Sequence, residues 1–194
     1  MRILLGTGTT DANGNVTVTY TGVGAGKVQL MAECGTIQSE TYVLYDCLIK
    51  DTGITGTSTD LFGNMSVFTR GETGTQMYYE NTGSTTFSTS FSNRVAMNGG
   101  ELALDFELIS NTYCNVQTAR YESGKTTQYE QFWINGTGDV HMEFKEEGTF
   151  IYLNDNLIRS DTSETNNEEI TLFFRALSGD TADFTYKNLK VYPI

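Results

Sequence analysis

From Glu101 to Leu108 the chain reads ELALDFEL, and its large apolar residues fall on every second position. Leu102, Leu104, Phe106 and Leu108 share one side, with Ala103, Asp105 and Glu107 opposite. The same alternation sets Val140, Met142 and Phe144 against His141, Glu143 and Lys145, and Ile170, Leu172, Phe174 and Ala176 against Thr171, Phe173, Arg175 and Leu177. A period of two is the mark of a half-buried strand, because successive side chains leave the backbone on opposite faces. Phe184 and Tyr186 open a last strand whose phase slips before Leu189 and Val191, which predicts a bulge. Further strands read as QMYYEN, STTFSTSFS, YCNVQTARYES, YEQFWING and TFIYLNDNLIRS. Turn residues part them at roughly ten-residue intervals, the spacing of a two-sheet antiparallel sandwich. No stretch carries a helical period, so the predicted fold is all-β.

The N-terminal stretch has its own pattern. NVTVTYTG places Val16, Val18 and Tyr20 against Thr17, Thr19 and Thr21, and ANGN before it supplies a turn. In KVQLMAEC, Val28, Leu30, Ala32 and Cys34 share a face, which predicts Cys34 as a small core residue. These residues, with TIQSETYVLYD, provide three or four strands, whereas a closed immunoglobulin-like sandwich takes about seven. The expectation is a division into 1–45, part of such a sandwich, and 46–194, a two-sheet antiparallel domain of a different, jelly-roll kind.

Composition supports this and narrows the partners. Eleven Phe, eleven Tyr and one Trp offer a core despite an apolar share of only 38%. Twenty-four acidic against twelve basic residues give a net charge of −12, and the basic ones are dispersed. That balance argues against nucleic acid and anionic lipid, which require clustered Lys and Arg. No apolar run approaches the roughly 18 residues of a membrane span, and MRILLG is too short for a signal peptide. Three cysteines without a CxxC spacing exclude a zinc ribbon and leave a Cys34–Cys47 bridge as one alternative to free thiols.

Two groups of side chains carry candidate chemistry. Glu101, Asp105 and Glu107 occupy one strand face, as the acid and nucleophile of a jelly-roll glycosidase would, but Ala103 fills the place of the middle carboxylate. The expectation is a solvated acidic strip and no enzymatic activity. The aromatic strands fit ligand binding better, since flat rings stack on sugar rings while amides and charged groups bond hydroxyls. Tyr129, Gln131 and Trp133 share one face, and Tyr113, Gln117 and Arg120 on the preceding strand are further candidates. Trp133 in the core is the competing reading. Tyr78 and Tyr79 point to opposite faces, and Tyr79 is taken as the candidate contact. His141 lacks a second histidine for a metal pair and is expected at an exposed position. No cofactor is expected; Asp60, Asn64, Asp180 and Asp183 offer loop oxygens for calcium without the density of a dedicated calcium loop.

The pattern TTDANGNVTVTYTG…GAGKVQLMA…Y resembles the last strands of bacterial immunoglobulin-like repeats of invasin and adhesin type. The runs FWING…VHMEFKEEGTFIYLNDNLIRS, ITLFFRAL and FTYKNLKVYPI resemble the laminin-G/concanavalin-like jelly roll. Together the halves resemble adhesin-like surface proteins of methanogenic archaea and tail adhesins of their viruses. The resemblance implies a non-catalytic receptor-binding module at a cell surface or virion tail. It would recognise a host cell-surface glycan or cell-wall polymer, without membrane insertion, in a homo-oligomer such as a trimeric fibre. The alternatives are a carbohydrate-binding or catalytic module of a glycan-degrading enzyme, and a ligand-free structural protein of a stalk or virion.

Overall fold

A computed structural model describes residues 6–18, 26–38, 42–46, 49–50, 62 and 67–194. Their regular structure is antiparallel β throughout, apart from a single helical residue at Phe62. No helix among them is long and apolar enough to cross a membrane.

The N-terminal turn forms as expected. Asp11 Oδ1 accepts the backbone N–H groups of Asn13 and Asn15 at 2.9 and 2.8 Å. The strand expected after it does not form over Asn15–Val18, where Val16 and Val18 are exposed, and Tyr20 lies outside the described residues. Strands β1 (Gly26–Leu30) and β4 (Tyr42–Asp46) pair with each other, and β2 (Glu33–Cys34) and β3 (Ile37–Gln38) make a small hairpin between them. Gly35 turns that hairpin at a φ of 61°, and the phase running from Val28 is already broken before it, because β1 ends at Leu30 and Met31 and Ala32 lie outside any strand. Cys34 is therefore an exposed free thiol and not a core residue, and Cys47 lies outside the described residues.

The remainder forms two packed layers. The larger sheet runs in the order β14 (Asn156–Asp161), β13 (Gly148–Leu153), β12 (Gly138–Lys145), β10 (Leu102–Tyr121), β16 (Thr181–Pro193), β7 (Thr75–Glu80), β6 (Phe68–Arg70), with β5 (Ile49–Lys50) also on β16. The smaller sheet places β11 (Gln128–Ile134) beside β10, then β15 (Glu169–Ala176), then β8 (Phe87–Ser90) and β9 (Val95–Ala96). Strand β10 belongs to both. Its first part, from Leu102, lies between β12 and β16; its last part, from Cys114, lies between β11 and β15. Register shifts after Asp105, Leu108 and Asn111 bend it from one layer into the other, as extra residues in a ladder do.

The predicted bulge in β16 is present: Asn188 takes a φ of 56° between the pairs Glu107–Lys187 and Asp105–Lys190. At the β13–β14 hairpin, Asn154 and Asp155 have φ values of 50° and 62°, the backbone that a two-residue hairpin demands and Asn and Asp tolerate.

The alternations found in the sequence are the core. Leu102, Leu104, Phe106, Leu108, Val140, Met142, Phe144, Ile170, Leu172, Phe174 and Ala176 are all buried between the layers. Phe174 sits at the centre, its ring 4.8 Å from that of Phe184, 5.2 Å from Phe62 and 5.5 Å from Tyr186. Edge-to-face and tilted contacts of this kind suit the ring quadrupoles and fix the spacing of the sheets.

Candidate functional site

With one side of each layer committed to the core, chemistry is left to the two outer faces. On the smaller sheet, β11 lies at an edge, and its inward residues Glu130, Phe132 and Ile134 are buried. The alternate set points outward. Tyr129 is 53% and Trp133 46% exposed, which decides between the core and open readings of the only tryptophan in favour of the open one.

Strand register extends this face across three strands. Trp133, Asn115 and Arg175 form one row; Gln131, Gln117 and Phe173 the next; Tyr129, Ala119 and Thr171 the third. Trp133 and Tyr129, four residues apart on one strand, are separated by about 13 Å at the rise of an extended chain. That distance leaves room for an extended ligand, longer than a single ring, to span both.

Hydrogen bonds orient the polar groups of the face. Trp133 Nε1 donates to the Tyr113 hydroxyl at 3.3 Å, and that hydroxyl donates to Asp180 Oδ2 at 2.7 Å. Burial raises the Tyr113 pKa, and the bond to Asp180 adds to the effect, so the phenol stays a donor. Arg175 Nη1 donates to Gln131 Oε1 at 2.6 Å, which points the Gln131 amide nitrogen away from the guanidinium. Below these lies Asn115, fully buried, with neither amide atom hydrogen-bonded.

The structure thus brings together Tyr113, Gln117, Tyr129, Gln131 and Trp133, and adds Asn115, Arg175 and Asp180. Two candidates are corrected. Arg120 faces inward and is fully buried; its Nε and Nη2 donate to the carbonyls of Asn166 and Lys145 at 2.6 and 2.7 Å. Tyr79 also faces inward, its ring stacked 3.9 Å from Phe87, whereas Tyr78 is the exposed member of the pair.

The outer face of the larger sheet is not the bare acidic strip that was expected. His141, opposite Asp105 in the ladder, approaches Asp105 Oδ1 with Nδ1 at 2.6 Å and Glu143 Oε1 with Nε2 at 3.5 Å. Asp105 also accepts from the Tyr192 hydroxyl at 2.8 Å and meets Lys190 at 3.1 Å; Glu143 meets Lys145 at 3.0 Å, and Glu107 meets Lys187 at 3.0 Å. Burial pushes the Asp105 and Glu143 carboxyls up, but these partners outweigh it and leave both below the ordinary range. Hydrogen bonding to Asp105 raises the His141 pKa above that of a free imidazole. His141 is thus a half-buried bridge between two acids.

Glu164 titrates the opposite way to Asp105 and Glu143: burial pushes its carboxyl up to about 7, against the pull of the Thr149 hydroxyl and the Arg120 charge. Glu164 and His141 both hold a proton more tightly folded than unfolded. Their stabilising contribution is complete below the unfolded pKa and is lost as pH rises through the folded one. The melting temperature is therefore expected to peak near about pH 5 and to fall through about pH 7, with Asp105 and Glu143 reversing the slope in stronger acid. A thermal melt series should show Glu164→Gln flattening the fall above the peak; an unchanged slope would remove Glu164 from the account.

Among the described residues, no group of three or more His, Cys, Asp or Glu is placed to hold a metal ion. Asp183 accepts from Gln76 at 3.0 Å and Asp180 from Tyr113, while Asp60 and Asn64 lie outside the described residues.

No protein-family model matches the chain, and no curated protein matches it at a significant level. Among solved structures it is similar to a chain described as a sialidase, at 9% identity and a TM-score of 0.41, over 60% of this chain and 15% of that one. It is also similar to a chain from work on endo-acting O-glycanases that initiate mucin breakdown in the human gut microbiota. That match has 5% identity and a TM-score of 0.46, and covers 77% of this chain and all of the other. Both descriptions name glycan-cleaving proteins, against the expectation of a non-enzymatic protein.

Proposed function

We propose that the outer face of the smaller sheet is a glycan-recognition surface, in a carbohydrate-binding or glycan-degrading protein. The observation that carries this reading is the exposure of Tyr129 and Trp133 in one phase of one strand, with Gln131 between them. An edge strand that displays two large rings loses favourable burial in the free protein, and a flat apolar ligand surface restores it. Sugar rings have such surfaces and also carry hydroxyls for Gln131, Gln117 and Tyr113 to bond. Because Arg175 holds Gln131 and Tyr113 holds Trp133, little side-chain freedom is lost on binding.

The test is a glycan array followed by calorimetry on the best ligand. Trp133→Ala is expected to weaken binding about tenfold or more, near 1.4 kcal/mol, while leaving the melting temperature close to that of the parent. Absence of binding by the parent chain to every glycan would sink the proposal. A secreted or surface setting follows from the ligand class. The adhesin or tail-fibre role rests on the resemblance of the two halves together, an immunoglobulin-like repeat fragment followed by a jelly roll. In that setting, several copies in one fibre would turn weak single contacts into firm attachment.

A further inference from the structure

Most basic residues on the sandwich surface are paired with acids, and Arg175 is not among those pairs. Arg94, Lys125, Lys145, Arg159, Lys187 and Lys190 each lie within ion-pair distance of a carboxylate. With two acidic residues for every basic one in the sequence, such pairing is the rule for this chain. Arg175 forms no ion pair among the described residues; its one hydrogen bond runs to the neutral amide of Gln131, and its Nε is buried without a partner. A half-buried guanidinium held this way has lost much of its hydration and gained no opposite charge in return. Burial accordingly lowers its pKa, although it stays charged at any physiological pH.

Its position makes this informative. Arg175 closes the row that begins with the exposed Trp133, and between them lies Asn115, whose fully buried amide also lacks a hydrogen bond. One row therefore holds an open ring, an amide with spare donors and acceptors, and a cation without an anion. Phe173 lies beside Arg175 on the same face in the next row, one more apolar contact for a sugar ring.

We propose that the ligand of this face is an acidic sugar, a glycan unit whose carboxylate is received by Arg175 while its ring stacks on Trp133. The inference rests on the glycan-recognition reading above and adds the ligand's charge to it. A guanidinium matches a carboxylate with two parallel hydrogen bonds, stronger than those to neutral hydroxyls. The net charge of −12 favours a single acidic unit in an otherwise neutral glycan over a polyanion.

Calorimetry on the whole chain tests this with oligosaccharides ending in glucuronate, galacturonate or N-acetylneuraminate, each compared with the same compound after reduction of its carboxyl to an alcohol. At least one acidic form is expected to bind about tenfold or more tightly than its reduced partner. Arg175→Gln should bring the two forms level, and Trp133→Ala should weaken both alike. Equal binding of the acidic and reduced forms by the parent chain would overturn the acidic-sugar inference and leave glycan recognition standing. Absence of binding to these compounds overturns this inference, and the array of neutral glycans then decides the broader reading. A preference that survives Arg175→Gln would overturn the assignment to Arg175. The parent-chain comparison needs no variant, so it holds even if Arg175→Gln folds poorly.

Discussion

Arg120→Ala is expected to cost about 3–5 kcal/mol of folding stability, because two buried carbonyls lose a charged donor. The guanidinium is fully enclosed and bonds the carbonyls of Asn166 and Lys145, with the Thr149 hydroxyl 3.4 Å from Nη1. Truncation to a methyl group strands those carbonyls away from water, and each unmet group costs about 1–3 kcal/mol. It also withdraws the positive charge that opposes protonation of Glu164. Arg120→Met fills more of the volume but supplies no donor, so it should recover only part of the loss. Urea unfolding midpoints measure both variants. A loss below about 1 kcal/mol for Arg120→Ala would mean that water replaces the guanidinium at those carbonyls.

Asn115→Leu is expected to move stability and binding in opposite directions. The two side chains are close in shape, and the asparagine amide is buried with nothing to bond. Replacing an unmet polar group with an apolar one of similar shape removes a penalty of about 1–3 kcal/mol. In a chain of this size each kcal/mol raises the melting temperature by about 2–4 °C. If Asn115 serves the ligand, the same change weakens glycan binding, because the amide has been kept for a contact the free protein lacks. Calorimetry and a thermal melt on one preparation decide the matter. A stabilised variant that binds as well as the parent would remove Asn115 from the site, and a destabilised one would refute the account of its burial.

The sequence disclosed the layers more readily than the site. Alternation alone identified the buried faces of β10, β12 and β15 and the slip before Leu189, because side-chain phase is a local property of a strand. The same rule already separates Arg120 from Tyr113 and Gln117, since odd spacings along a strand lead to opposite faces. It could not say which of Tyr78 and Tyr79 faces inward, as that depends on which side of β7 meets the other layer. Nor could it show that His141 stands opposite Asp105, or that Arg175 and Trp133 flank Asn115. Those contacts join residues far apart in the chain, and register between distant strands leaves no trace in the spacing of either. Cys34 and the Asn15–Val18 stretch show the opposite failure. There the local period is strand-like, but turns and exposure override it.

The twenty-residue strand β10 has a consequence for how the molecule comes apart. One uninterrupted segment supplies an interior strand to each layer, so neither can peel away while the other keeps all its neighbours. The ring-lined face and the His141 cluster are thus tied to a common backbone. Damage to its middle, where the ladder is already irregular, would be felt at both ends.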